Sequence, residues 1–373
     1  MRSRGGVGLS QASEPGTGWR LGHRSSLDAL RGAAVLLVLA GHFGLLPESA
    51  ATVGVSLFFT LSGFLITALL LGEWAHTGEI RIRSFYMRRA RRLLPALVLL
   101  LVATAIAAAV RGDIATWLPG SIPVLLYVGN WGYLAGVVPL DLGHTWSLAI
   151  EEQFYLLWPA ALLVLLPRGG RTLPLAIVSL IVLSVLSTLS DFPSMGLAYY
   201  GSPQRAKELL AGGLIAALSF HRGRDVVPWT PIAVFAGVVL AFSCLTPWMM
   251  ELGPLAFVLP TAIIIAWVAG HPRLFAWAPL TGTGRISYGL YLYHYPLVGL
   301  APAFLLVPIT FALSMASWML VERRFTRRRS QPTRDQGSVS VRGLLPEPPT
   351  LRRRAHLGTS AVAAEGELAI RPI

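Results

Sequence analysis

Charge is scarce in this sequence. Only 13% of its 373 residues are Asp, Glu, Lys or Arg, about half the share of a soluble domain. Cysteine is nearly absent: Cys244 stands alone, which excludes an internal disulfide and a cysteine metal cluster. Lysine is as rare, since every basic residue but Lys207 is arginine. Acidic residues number 18 against 31 basic ones, a net charge of +13. No nucleic-acid partner is expected from that excess, because the arginines sit between apolar runs and in the tail, where cytoplasmic loops of membrane proteins keep them. The chain has instead 54% hydrophobic residues and a mean hydropathy of +0.61. Lipid is therefore its expected solvent. The first apolar run carries Arg31 and lacks a small-residue cleavage site, so it reads as a retained span rather than a signal peptide.

A membrane helix needs roughly 17–25 largely apolar residues. Runs of that kind cover 27–46, 52–71, 93–110, 144–166, 173–190, 205–220, 230–246 and 253–270, and two more share 287–322. A further apolar run, 121–140, holds Pro123, Asn130 and Pro139 and reads as interfacial or re-entrant. Excluding it leaves ten spans. With both termini cytoplasmic, every arginine-rich loop then falls on one side, from Arg2, Arg4, Arg20 and Arg24 at the start to Arg323–Arg329 at the end. The expected fold is an all-α, polytopic helix bundle: 1–26 a cytoplasmic segment, 27–325 the membrane domain, and 326–373 a basic, disordered tail.

Polar groups inside spans are costly and ask for a reason. Arg31 and His42 lie eleven residues apart on the first span, close to three helical turns, so they share a face. Asp28 lies one turn before Arg31 and is placed to pair with it. Ser62 and Gly63 on the second span admit a close neighbour, either a helix or a ligand. Arg88, Arg89, Arg91 and Arg92 form a ring of guanidinium groups at the start of the third span. Such a ring suits the phosphates of a nucleotide-like donor, or else anionic lipid heads. Glu151 and Glu152 sit inside an apolar run, and a buried carboxylate there is placed to orient a histidine. Tyr288, Tyr291 and Tyr295 share a stripe with His294 nearby, which suits a polar pocket wall. No metal set is expected.

The pieces LDALRG and GH, FFTLSGFLI, FYMRRARRLLP, HTWSLAIEEQFYLLWP, RAKELLAGGL, GRISYGLYLYHYPL and LVERRF occur in this order from Leu27 to Phe325. Together they resemble the acyltransferase 3 family of integral membrane O-acyltransferases. The resemblance implies a ten-helix, multi-pass protein of the bacterial inner membrane, using acyl-CoA, usually acetyl-CoA, to acylate a hydroxyl of a glycan, a lipid-linked sugar or a secondary metabolite such as a macrolide. It implies His42 as the catalytic residue with Arg31, Glu151 and Glu152. It implies Arg88 and Arg91, with Arg89 and Arg92, as the donor-binding element. Asp28, Ser62, Tyr288, Tyr291 and His294 complete the expected pocket. By depth, Glu151 or Glu152 is expected to partner His42.

The sequence departs from the family in leaving only 27 residues between His294 and Glu322, so a turn near Pro302 or Pro308 is expected. No hydrolase-like domain of the kind some members carry is expected from this sequence, nor a relay to one within this chain. Two other readings stay open: a transporter or flippase with the glutamates as proton relay, for which no inverted repeat is visible, and an inactive member serving as a scaffold.

Overall fold

Backbone polar groups in hydrocarbon must bond within their own segment, so apolar runs of this length fold as helices. A computed structural model of the protein describes residues 19, 21–169, 171–191, 194–246, 255–274 and 276–323, and no β-strand occurs among them. The chain divides into two units, Met1–Arg328 and Arg329–Ile373, and the described helices belong to the first. The expected tail, Arg2, Arg4, Arg20 and Arg324–Arg329 lie outside the described residues.

The helices are α1 (Ser25–His42), α2 (Ser49–Thr77), α3 (Ile82–Arg111), α4 (Ile114–Leu125), α5 (Gly129–Leu134), α6 (Thr145–Leu165) and α7 (Thr172–Ser190). They continue with α8 (Met195–Tyr200), α9 (Ser202–Arg222), α10 (Thr230–Cys244), α11 (Val258–Gly270), α12 (Ala278–Arg285), α13 (Ser287–Tyr293) and α14 (Ala303–Ser317), which runs on into a π turn. Among the described residues, five segments are long and apolar enough to cross a membrane: α2, α3, α7, Thr145–Arg168 and Ala303–Val321. The helices α4, α10 and α11 are apolar but shorter. The expected spans α1 and α9 are not among the five, because each carries charge in its first turns: Asp28 and Arg31 in α1, Arg205, Lys207 and Glu208 in α9.

The long apolar helices differ in what surrounds them. The most apolar stretch of α2 is 78% buried within the protein, against 33% for α3 and 22% for α7. Helix α2 is therefore the central post. Residues Val98, Val102, Ile106 and Val110 of α3 and Leu175, Val182 and Leu186 of α7 point outward, an apolar exposure that acyl chains cover and water would penalise.

Backbone contact sets the post in place. A Cβ on Gly63 would overlap the carbonyl oxygen of Leu209, and one on Gly212 would overlap that of Thr60, so α2 and α9 cross with main chain against main chain. Helix α12 meets α1 in the same way, through Gly284 on the Asp28 carbonyl and Gly32 on that of Leu280.

The run 121–140 breaks into α4, α5 and a 3-10 turn, Leu140–Leu142. Tyr127, between α4 and α5, has φ 54°, a left-handed conformation unusual for a bulky residue. The Gln153 side chain on α6 donates to the Tyr127 carbonyl at 2.9 Å and to Asn130 Oδ1 at 2.9 Å, which holds the break against the bundle.

The end of the bundle differs from expectation. Its ninth helical segment starts at Ala278, not Ser287, and is broken at Ile286 between α12 and α13. His294 therefore stands at the end of that segment rather than near its middle. The residues after it need only a 3-10 turn (Tyr295–Leu297), a reversal through Gly299 at φ 81°, and one helix beginning after Pro302. The tight spacing closes through a reversal that ends at Pro302, one of the two turn positions expected. Tyr293 Oη and Ser317 Oγ, 2.7 Å apart, tie the two arms.

Candidate active site

Two polar ends face each other along α1 and α6. On α6, His144, Ser147, Glu151 and Tyr155 follow at intervals of three or four residues, so they descend a single helical face. His144 caps the helix and Tyr155 lies eleven residues on, about 16 Å along the axis.

The lower end is basic. A cavity of about 700 Å³ is lined by Arg31 of α1, by Arg88, Arg89 and Arg92 of α3, and by Ser62, Glu151 and Tyr155 further in. Arg88 and Arg92 are one turn apart and share the lining face. Arg91, on another face of α3, is exposed and is not among the lining residues. Arg89 is held in place: its Nη2 donates to Glu152 Oε1 at 2.8 Å, and its guanidinium lies 3.5 Å from the centre of the Tyr155 ring. Arg31 Nη1 approaches Asp28 Oδ1 only to 3.9 Å, while Asp28 also meets His23 at 3.3 Å. The Arg31 guanidinium thus keeps the expected Asp28 as a loose ion-pair partner while it lines the cavity. Ser62 donates to Glu151 Oε1 at 2.8 Å on the wall. Tyr288 lines the same wall and donates to the Leu93 carbonyl at 3.0 Å.

Tyr291 and Ser147, whose hydroxyls bond each other, also line the cavity. Tyr291 also donates to the His144 carbonyl at 3.0 Å. Beyond this pair sits a cluster of His42, His144 and His294. The His42 and His294 rings are nearly parallel, at 7°, with centroids 5.1 Å apart, and His42 Nδ1 lies 2.8 Å from His294 Nε2. His144 meets His294 edge-on at 5.4 Å and stacks on Tyr295 at 4.9 Å. Among the described residues no group of His, Cys, Asp or Glu side chains is arranged to hold a metal ion.

The expected carboxylate partner of His42 is not there. His42 ends α1 at the level of His144, whereas Glu151 lies seven residues further along α6, about 10 Å away along the axis. The two glutamates are engaged by Ser62 and Arg89 instead. The structure thus brings His42 and His294 together, with Tyr291 between them and the cavity. It gathers Arg31, Arg88, Arg89, Arg92, Ser62, Glu151 and Tyr288 around the cavity, and sets Glu152 behind Arg89 and Asp28 beside Arg31.

Sequence reasoning missed His144, Ser147 and Tyr155. The four-residue steps from Ser147 to Glu151 to Tyr155 were the available signal. It also missed a second charged site. Arg205 and Glu208 on α9 are wholly buried, with Arg205 Nε and Glu208 Oε2 3.0 Å apart.

A family model described as an acyltransferase domain matches residues 24–321, which include every site residue above. The chain belongs to the acyltransferase 3 family. It is similar to the "Peptidoglycan O-acetyltransferase OatA" of Listeria monocytogenes, 34% identical over 349 residues, covering 80% of this chain and 55% of that protein. It is also similar to the "Putative peptidoglycan O-acetyltransferase YrhL" of Bacillus subtilis, 34% identical over 368 residues, covering 83% of this chain and 55% of that one. The chain therefore spans about half the length of these curated relatives. No solved structure matches it. In this acyltransferase 3 domain, the match begins at Arg24 and ends at Val321, so the arginine end and the histidine end both lie within the part shared with the family.

Proposed function

We propose that this chain moves an acyl group, acetyl by the names of its relatives, from acyl-CoA to a hydroxyl of a glycan. The observation that carries the reading is the cavity lined by arginines and by the Tyr291–Ser147 pair, with Tyr291 packed on His294 at 5.6 Å and His294 bonded to His42. Guanidinium groups match phosphate geometry, so Arg88, Arg92 and Arg31 take the phosphates of the donor and the apolar walls take its extended arm. His42 acts as general base from the far side of the pair. It removes the proton of the acceptor hydroxyl. The oxygen then attacks the thioester carbonyl, a C–O bond forms, the C–S bond breaks, and His42 returns the proton to the leaving sulfur. Opening of the Tyr291–Ser147 bond gives the donor's arm access to His42.

The reading includes ten crossings with both termini cytoplasmic in a bacterial inner membrane, supported by the outward apolar faces and the arginine-rich loops. A glycan is preferred as acceptor because the relatives' names specify peptidoglycan.

The test is thiol release from acetyl-CoA by purified protein in nanodiscs, with and without a glycan acceptor, for the wild type and His42→Ala. Acceptor-dependent release that vanishes in the variant supports the proposal. Wild-type turnover by His42→Ala removes His42 from the mechanism.

A further inference from the structure

We infer that His294 is a positioning residue that holds His42 in the one tautomer able to act as the base. The inference rests on the proposed role of His42 and adds to it a fixed order of protons from the Tyr291 carbonyl through His294 to His42.

The order follows from which atoms can donate. His294 Nδ1 lies 2.7 Å from the Tyr291 carbonyl oxygen. A carbonyl only accepts, so Nδ1 carries the proton. A neutral imidazole has a single N–H, which leaves His294 Nε2 as a bare lone pair. That atom is 2.8 Å from His42 Nδ1, so the proton of this bond belongs to His42 Nδ1. His42 Nε2 is then unprotonated. Isolated histidine side chains favour the opposite arrangement, with the proton on Nε2, so the partner imposes the useful one.

The ring of His294 cannot relax away from this role. It is 0% exposed, with Phe43 edge-on at 6.2 Å and His144 edge-on at 5.4 Å. Flipping it would exchange both nitrogens for carbons and break both bonds at once. The near-parallel His42 and His294 rings suit the N–H···N bond.

The same bond serves the reaction. When the acceptor hydroxyl gives its proton to His42 Nε2, the ring becomes a cation with two donors. Its Nδ1–H already points at the His294 lone pair, and a lone-pair nitrogen stabilises that charge where no carboxylate does. The proton then passes from His42 Nε2 to the leaving sulfur, and His294 keeps its own proton throughout. An imidazole thus stands where a carboxylate orients the histidine of a Ser-His-Asp triad. His144 does not compete, since its Nε2 donates to the Leu292 carbonyl at 3.1 Å.

The experiment compares His294→Leu, His294→Gln and His42→Ala in nanodiscs by steady-state kinetics and by 15N spectra of labelled histidine. Removing the orienting group of a triad histidine costs roughly 10⁴-fold in kcat. On that scale His294→Leu should lose about 10²–10⁴-fold in kcat at an unchanged KM for acetyl-CoA. His294→Gln presents an oxygen to His42 Nδ1 and should recover at least about tenfold of the loss. In the spectra, the His42 resonance is assigned by its absence in His42→Ala. It should show Nδ1–H in the wild type and the Gln variant and Nε2–H in the Leu variant. An Nε2–H His42 in the wild type overturns the inference, as does an Nδ1–H His42 in the Leu variant. Should the Leu variant fail to fold, the wild-type and Gln spectra decide. Turnover by His42→Ala would sink the base reading while leaving the tautomer assignment to stand or fall by the spectra.

Discussion

The ion pair on α9 gives a quantity that can be worked from the structure and measured. Arg205 and Glu208 are each 0% exposed, and their Nε and Oε2 atoms are 3.0 Å apart without the alignment of a hydrogen bond. Ser56 of α2 donates to Glu208 Oε1 at 2.8 Å. The Arg205 guanidinium is caged by Phe59 at 5.2 Å, Trp146 at 5.7 Å and Tyr199 at 5.2 Å. Replacing Glu208 with Leu leaves this guanidinium buried and uncompensated, which costs about 3–5 kcal/mol. The ring contacts are made with or without Glu208, so they do not offset that cost. The expected loss is therefore about 3–5 kcal/mol, about a 100-fold to 4,000-fold fall in the folded-to-unfolded ratio. Lys207 offers no counter-charge, being a second buried cation whose Nζ donates to Thr188 Oγ1 at 3.0 Å and to the Gln204 carbonyl. Removing both charges, as Arg205→Met with Glu208→Leu, should restore much of the loss, because an apolar pair needs no compensation. The assay is reversible unfolding in mixed detergent micelles, followed by tryptophan fluorescence, over the four proteins of a double-mutant cycle. A coupling energy below about 0.5 kcal/mol would mean that the two charges do not depend on each other, and the electrostatic account of this pair would be wrong.

Three further outcomes are expected. Arg88→Ala and Arg92→Ala should each weaken CoA binding by about 1.5–3 kcal/mol, the value of a hydrogen bond to a charged group. Arg91→Ala, outside the cavity lining, should change it far less; calorimetry in nanodiscs reads the difference, and equal losses in all three would refute the face assignment. Glu152→Gln removes the charge that holds Arg89 and should weaken donor binding, whereas Glu151→Gln keeps an acceptor for Ser62 and should leave binding unchanged in the same titration. Gly63→Val or Gly212→Val should force α2 and α9 apart at a cost of about 1–3 kcal/mol, visible as a lower midpoint in the micelle assay; unchanged midpoints would mean that the crossing is looser than described.

Much of the fold was legible because it depends on local composition. The apolar runs at 52–71 and 173–190 fall within α2 and α7, since nothing but a helix satisfies their backbone in lipid. The start of the segment before His294 was not legible. Residues 278–285, APLTGTGR, fall between the apolar runs 253–270 and 287–322. Yet Gly284 is there for its lack of a side chain, to let α12 lie against the Asp28 carbonyl. That requirement belongs to a partner helix more than 200 residues away and leaves no local trace. The candidate site divides in the same way. The spacing of Arg31 and His42 is a property of a single helix and could be read. The bond between His42 and His294 spans 252 residues and could not. The expectation that a glutamate orients His42 failed because it compared depths on two helices whose offset the sequence does not specify. His42 proved level with the cap of α6, not with its second turn.

The distance between the two ends bears on how the proposed reaction uses the membrane. Arg31 and His42 lie eleven residues apart on α1, and His144 and Tyr155 lie eleven residues apart on α6. Tyr155 carries the Arg89 guanidinium on its ring and His144 touches His294, so the two helices run in opposite senses along the same interval of about 16 Å. A hydrocarbon core is about 30 Å thick. On the proposed function, a donor anchored by its phosphates at the arginines carries its thioester across about half of that thickness while its charges stay at the entrance. On the proposed reading the chain has no need to move a polyanionic carrier through lipid, which would be prohibitive for a buried charge. Only the acyl carbon passes the Tyr291–Ser147 pair, and it leaves bound to a hydroxyl that entered from the histidine side.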